Sequence, residues 1–476
     1  MASPAGATVV WFRDDLRVSD HPALHAARAA GGPLVLLYVF DDSGAAGRRL
    51  GAASRWWLHH SLTALAASIE KRGAVLTIRR GDPVEVVPAV LREAKAGHLA
   101  FNRRYAVGER AQDEAVVAAA RQQGAEVHDF TGSLLHEPGD VLTGEGERFG
   151  VFTPFFRALT RRGEPRSPYP APAELAGLPH PVATETIESL GLLPTGFDWT
   201  AGLGETWVPG EKGAHRRLDD FLHHRIERYA DERDLPAAEA SSRLSPSLKF
   251  GEVSPYQLWH RVRRADASPA VKEKFLTELG WREFDYDLLA GHEHLDTENV
   301  HRSFDRFPWA DPDPRLIRAW QRGRTGYPLV DAGMRQLWHT GWMHNRVRMV
   351  TASFLIKNLR IDWRIGEQWF WDTLVDADPA NNAAQWQWVA GSGADAAPFF
   401  RVFNPVTQAT KFDPDGEYIR RWVPELRGRQ GKALHEPWTS GETLLDEGGQ
   451  HAYPAPIVDL KASRQAALDA FDRMRH

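Results

Sequence analysis

Residues 376–395 read DADPANNAAQWQWVAGSGAD, and residues 399–408 continue FFRVFNPVTQ. Three Asp, two Asn and two Trp fall within twenty residues, followed by a Phe-Phe-Arg and an Asn-Pro-Val-Thr-Gln loop. A core helix repeats its apolar residues on one face with a regular period. Here aromatics of buried type alternate with polar groups that need partners once enclosed. Such local rule-breaking marks functional sites.

Working outward, two regimes of pattern appear. From Thr8 to about Phe130, short apolar runs (TVVWF, PLVLLYVF, AVLTI, HLAFN, AEVHDF) alternate with stretches long enough for crossover helices, such as 54–71 and 83–96. That rhythm predicts an α/β domain with a parallel sheet over residues 1–132. No GxGxxG follows the first run, so the usual dinucleotide fingerprint is missing. Ligands of such sheets bind at the carboxyl ends of the strands. Residues 133–209, with RRGEPRSPYPAPAELAGLPHP, have the Pro/Gly composition of a connection wrapping over the surface. From 210 to 476 the pattern is helical throughout. Ser245-Pro246 and Ser254-Pro255 each pair an N-cap with Pro at the first helical position.

The whole chain has 476 residues, a net charge of −5 and no cysteine. Its length supports two or three domains with a sizeable core. The charge argues against bulk attraction to nucleic acid, while a groove still responds to its own lining. Lack of cysteine excludes disulfides, iron–sulfur clusters and thiol catalysis. The opening MASPAGATVV has no signal-peptide architecture, and the longest apolar run, Leu34–Phe40, is too short for a bilayer. A soluble, cytoplasmic, monomeric enzyme with no membrane or metal partner is the expectation. Eighteen tryptophans stand out. Most serve as packing, but a protein that moves electrons or stacks nucleobases uses many indoles.

Several candidate positions follow from spacing. Ser241, Ser242 and Ser245 put three hydroxyls at a helix start, where free N–H groups favour an anion or merely solvate the serines. Glu278 and Trp281, three apart, share a helix face, as do Asn345 and Met349, four apart. Read blandly, the aromatic and Met are core and the polar pair is rim.

The segment 376–425 resembles the flavin-facing part of the DNA photolyase and cryptochrome family. So do WFRDDLRVSDHPAL (11–24), SSRLSPSLKFGEVSP (241–255), ELGWREFDYDLL (278–289), TGYPLVDAGMRQLWHTGWMHNRVRM (325–349) and FLIKNLRIDWRIGEQWF (354–370). The LGAASRWWLHHSL wording (50–62) is most similar to bacterial cyclobutane-dimer photolyases of the class I/III type, related to plant cryptochromes. The resemblance implies an α/β domain followed by a helical domain that holds FAD. It implies Ser241, Ser242, the backbone at Leu244, and Ser245 for the cofactor's phosphate side, Tyr229 as a flavin-binding tyrosine, and Arg348, Asp376, Asp378 and Asn382 lining its ring. Glu278, Trp281, Asn345, Met349 and Trp388 then match the lesion pocket. Members acting on the six-four photoproduct carry histidine in that neighbourhood, whereas MHNRVRM keeps the dimer-type pattern. Trp386, Trp363 and Trp309 match the electron-transfer tryptophans, although Trp309 to Trp320 is one residue longer than the common spacing. Arg233, Arg282, Arg346, Arg401 and Gln408 match or flank DNA-contacting positions.

The activity implied is light-driven repair of cyclobutane pyrimidine dimers in UV-damaged DNA by electron transfer from excited reduced FAD. A cryptochrome-type photoreceptor is the alternative, although the chain ends some fifty residues after WVPEL; a flavin electron carrier unrelated to DNA is a third. An antenna chromophore, a folate such as methenyltetrahydrofolate ahead of a deazaflavin, is implied at Trp56, Trp57 and Glu109. Gly108 departs from the Asn of some folate binders there, and the two tryptophans equally suit packing.

Overall fold

A computed structural model describes residues 6–44, 46–396, 400–440, 444–445 and 452–475. By internal contacts the chain divides into residues 1–227 with 242–293, and residues 228–241 with 294–476. These divisions fall elsewhere than the change of sequence pattern does.

The first unit is built on five parallel strands: β1 (Ala7–Phe12), β2 (Leu34–Phe40), β3 (Leu76–Arg80), β4 (Ala96–Asn102) and β5 (Glu126–Phe130). Their order is β3-β2-β1-β4-β5. Each of the five apolar runs in the sequence therefore became a strand. Every residue of β1 and β2 is buried, as expected when crossover helices cover both faces. Those crossovers are α1 (Pro22–Ala30), α2 (Ala52–Glu70), α3 (Pro83–Glu93) and α4 (Val107–Gln122). Asp82 and His21 cap α3 and α1 through side-chain acceptors, each with Pro in the first turn. The core lies between strands and helices, around Val9, Trp11, Leu37, Val87, Leu99 and Val116.

Strand order reverses between β1 and β4, so the strand ends there form the crevice where open α/β sheets take ligands. In this chain the crevice carries charge. Arg13 lies over the rings of Trp11 (4.1 Å) and Phe101 (4.5 Å) and meets Asp113 at 3.2 Å. Asp15 accepts from Asn102 at 2.7 Å and pairs with His21 at 3.0 Å. Burial alone would raise the Asp15 carboxyl; the His21 ring and Arg13 outweigh it and hold Asp15 well below the carboxylate range.

The Pro/Gly-rich stretch is not all connection. It contains α5 (Phe152–Arg161), whose Phe152, Phe155, Phe156 and Leu159 are buried. The helix Pro269–Gly291 packs against it closely: a Cβ at Gly280 would lie 2.3 Å from Phe156 Cδ2. Composition suggested a surface loop because prolines flank this helix on its C-terminal side, while the FTPFFRAL segment itself has strong one-sided apolar spacing.

The second unit is helical among its described residues, with a core around Trp320, Val330, Phe354, Trp363, Phe370 and Tyr418. The TGYPLVD wording has a structural cause. Fully buried Asp331 accepts from Thr325 N and Oγ1 (both 2.7 Å), Gly326 N (3.0 Å) and Tyr453 Oη (2.7 Å). Gly326 has φ +81°, and a Cβ there would lie 2.5 Å from the Ala455 backbone, so both conformation and space require glycine. No helix among the described residues is long and apolar enough to cross a membrane.

Candidate functional site

In the second unit, the segment 376–395 folds into the start and body of the helix Asn381–Ala390. Asp378 begins it: its Oδ1 accepts from Ala380 N (3.0 Å), Asn381 N (2.9 Å) and Asn381 Nδ2 (2.8 Å). A carboxylate at a helix N-terminus satisfies orphan N–H groups and matches the helix dipole. Asp376 sits just upstream, its side chain 2% exposed, and Arg348 Nη2 donates to both its oxygens at 2.8 and 3.1 Å. Arg348 Nε donates to the Met343 carbonyl at 2.7 Å, which fixes the guanidinium plane. The pair leaves a buried carboxylate held beside a cation, a set suited to steadying charge on a bound ring.

Asn382 shows what the sequence did not. Its Nδ2 donates to Glu367 Oε1 (2.7 Å) and to the Glu367 carbonyl (3.1 Å). Both amide protons are thereby committed, and the side-chain oxygen is the end that can accept from a ligand N–H. Glu367 is 1% exposed and lies on the helix Trp363–Thr373. Sequence reading passed over it as one more acid in RIGEQWF; the only available signal was an acid on an otherwise apolar helix face.

The two helices approach at Gly366, where a Cβ would lie 2.2 Å from Trp386 Cη2. Glycine thus admits the Trp386 indole onto the turn that Trp363 begins. Trp363 is fully buried and donates from Nε1 to Asn299 Oδ1 at 3.0 Å. Trp309, partly buried, packs on Phe307 with ring centroids 4.4 Å apart.

Trp388 and Arg401 line one cavity of about 330 Å³ together with His301, Lys357, Phe400 and Phe403. Trp388 Nε1 donates to the Asp395 carbonyl at 3.0 Å. Lys357, also missed in the sequence, is 1% exposed, donates to the Ala390 carbonyl at 2.5 Å and lies 3.1 Å from the Phe400 ring centre. Burial pushes its amine well below the ordinary lysine range.

Asn345 and Met349 share the helix Asn345–Ser353, with Asn345 exposed. His344 is turned inward: it is 6% exposed and caps this helix by accepting from Arg346 N at 3.2 Å. Arg346 pairs with Asp234 at 2.8 Å and lies over Phe412 at 4.4 Å. Gln408 carries a buried side-chain oxygen without a protein partner. Tyr229 is buried, with the Arg233 guanidinium 5.4 Å from its ring; Ser241 is half-buried.

In the first unit, Trp281 stacks on Phe152, with ring centroids 3.8 Å apart at 10°, and meets Phe284 edge-on at 5.9 Å. One indole face is therefore pinned by α5, and the side chain is still half-exposed, as is Glu278 one turn away. Arg282 is 8% exposed, and its guanidinium donates to the Ser133 carbonyl (2.8 Å) and meets Glu283 at 3.5 Å. Ser242 and Ser245 flank Leu244, which begins the short helix Ser245–Lys249.

Trp56 and Trp57 are both buried in α2. Trp57 meets Trp207 edge-on, stacks on Phe250 and donates from Nε1 to Glu252 at 2.9 Å. Trp56 meets His60 at 4.6 Å. Both thus have packing duties. Glu109 belongs to the start of α4 and accepts from Ala106 N at 3.2 Å. Burial, with Asp14 and Asp113 nearby and only Arg104 and Lys249 opposing, raises its carboxyl.

Asp376, Asp378 and Glu367 are buried acids in a unit that also buries the indoles of Trp363 and Trp386. In comparison with known proteins, residues 8–173 match the family model described as DNA photolyase, and residues 275–473 match that of the FAD binding domain of DNA photolyase. The chain is 47% identical over 476 residues to the deoxyribodipyrimidine photo-lyase of Agrobacterium fabrum, covering 99% of this chain and 98% of that one. It is similar to the crystal structure of a bacterial class III photolyase from Agrobacterium tumefaciens (TM-score 0.95, 46% identity, 100% and 99% of the two chains). It also resembles the Synechocystis cryptochrome (TM-score 0.87, 31% identity, 99% and 100%). The protein belongs to the DNA photolyase family.

Proposed function

We propose that this protein repairs cyclobutane pyrimidine dimers in UV-damaged DNA under blue or near-ultraviolet light. The observation that carries this reading is the Asn382–Glu367 lock beside the Arg348–Asp376 pair. Held by the residues named below, fully reduced FAD would supply the electron for opening the cyclobutane ring and would recover it afterwards. The chain's own residues do the rest. Asn382 offers an oxygen, so it accepts from an N–H and stays neutral, supplying no acidic proton. Arg348 presents positive charge that buried Asp376 keeps in place. Ser241, Ser242, Leu244 and Ser245 serve the phosphate side of the cofactor and Tyr229 its flavin, with Asp378 holding the helix that carries Asn382.

A dimer flipped from the duplex is a bent apolar wedge with hydrogen-bonding edges. Trp281, pinned on Phe152, and Glu278 are the lesion-binding residues proposed in the first unit, and Trp388, Asn345 and Met349 those proposed in the second. The inward cap of His344 supports a dimer rather than a six-four substrate, because the histidine of MHNRVRM is already committed to its helix. Arg233, Arg282, Arg346, Arg401 and Gln408 serve the DNA backbone. Trp386, Trp363 and Trp309 carry electrons inward to reduce the cofactor. The antenna is proposed as a folate, with a deazaflavin second; the packing of Trp56 and Trp57 favours a site in which Glu109 takes part without them. A soluble, cytoplasmic monomer is the form proposed.

The test is repair of a thymine-dimer oligonucleotide by photoreduced protein, with a dark control. Light-dependent loss of the dimer, abolished by Glu278→Ala, is the expected result. Flavin binding without repair in a fully reduced sample would overturn it in favour of a photoreceptor.

A further inference from the structure

The sequence reading assigned no metal ligand anywhere in the chain. Strand pairing in the first unit revises this. β4 and β5 run parallel with His98 opposite Glu126 and Ala100 opposite His128. Side chains two apart on a strand, and directly opposite on its neighbour, share a sheet face. His98, Glu126 and His128 therefore project from the same face, at the beginning of the edge strand.

Their donor atoms converge. His98 Nδ1 lies 3.6 Å from Glu126 Oε2, and His128 Nε2 lies 3.4 Å from Glu126 Oε1. One donor from each of the three residues falls within 4.8 Å of the others. A tetrahedral ion with bonds of about 2.0–2.1 Å needs donors roughly 3.4 Å apart. The two contacts use different oxygens of Glu126, so a triangle with one carboxylate oxygen has one edge near this length and its other edges within 4.8 Å. The rings lie 6.0 Å apart at 25° with the carboxylate between them. A divalent ion binds the same three groups with both rings neutral.

We propose that His98, Glu126 and His128 form a binding site for a divalent ion of the zinc class. Two imidazoles and one carboxylate match zinc's ligand preferences, and they do not suit magnesium, which wants oxygen donors in octahedral geometry. The side chains are 35%, 66% and 44% exposed, so water completes the coordination. The role is a clip: it ties the first and third residues of edge strand β5 to β4, where the sheet has no further neighbour.

The experiment is calorimetric titration of the chelator-stripped full-length protein with Zn²⁺ alone, repeated with Mg²⁺. One saturable zinc site is expected, weakened at least about tenfold by His98→Ala, by His128→Ala and by Glu126→Gln. His59→Ala/His60→Ala controls for other adjacent histidines and is expected to leave the isotherm unchanged. Circular dichroism checks that each exposed-site variant is folded, and a zinc-dependent rise in melting temperature is expected in the wild type alone among these three-ligand variants. Absence of saturable zinc binding would overturn the proposal. So would an unchanged isotherm in a folded His98→Ala/His128→Ala double variant, or equal binding of Mg²⁺.

Discussion

The strand-end crevice of the first unit and the polar segment of the second use the same residue types to opposite ends. Arg13, Asp15, His21, Asn102 and Asp113 form a network whose charges answer one another over aromatic rings. Arg348 and Asp376 also pair, but Asn382 donates both amide protons to Glu367, which leaves its oxygen as the atom able to accept. Which atoms are committed separates a charge-paired structural knot from an open site; residue composition does not.

The comparison breaks most visibly if the knot is opened. Asp15→Ala leaves buried His21 without its carboxylate, while Arg13 keeps Asp113, and breaking such a pair costs about 3–5 kcal/mol. Denaturant unfolding is expected to show that loss. Next in size is a gain. Burial pushes Glu252 up to about 7 against hydrogen bonds from Gly210 and Trp57. With its folded pKa above the unfolded value, Glu252 favours the native state at acidic pH, and that contribution disappears as pH rises from about 4.5 through 7. Glu252→Gln is therefore expected to gain up to about 3 kcal/mol over the wild type at pH 8, with the advantage vanishing near pH 4.5. Melting curves at both pH values decide it; an equal gap at each would contradict the assignment.

The open site gives smaller, more specific effects. Trp281→Ala removes a stacking face worth about 1–3 kcal/mol, so affinity for dimer-containing DNA is expected to fall roughly 10- to 100-fold. Binding of undamaged DNA is the control and is expected to change little. Glu367→Gln unlocks the Asn382 amide and costs about 1 kcal/mol of orientation. The expected sign is a faster reoxidation of the reduced flavin with folding intact, followed by absorbance. Reoxidation at the wild-type rate would show that the lock does not set the amide.

Much of the architecture was legible in the chain. All five strands were visible as apolar runs; β1 and β2, buried throughout, need continuous apolar sequence, whereas edge strand β5 is largely exposed. The helical second half and the Pro-started helices were legible through period and capping chemistry. Helix α5 was not, since proline-rich neighbours masked ten residues whose apolar face is used only when Pro269–Gly291 packs on it. In the site, the polar run 376–395 marked itself by breaking the apolar period. Glu367 and Lys357 stayed hidden because a single ionisable residue on a helix looks solvated until its burial is known.

By itself, the sequence determined the fold class, the family and the types of side chain at the site, since these follow from local periodicity and from long, specific wording. Only tertiary structure decided which atoms remain open. The Asn382 orientation depends on a carboxylate fifteen residues away, and Trp386 seats itself because Gly366 has no side chain. Likewise His98 meets Glu126 and His128 only through strand register. Hydrogen bonds, close packing and register act between residues distant in the chain, and one-dimensional order carries no record of which distant groups will meet.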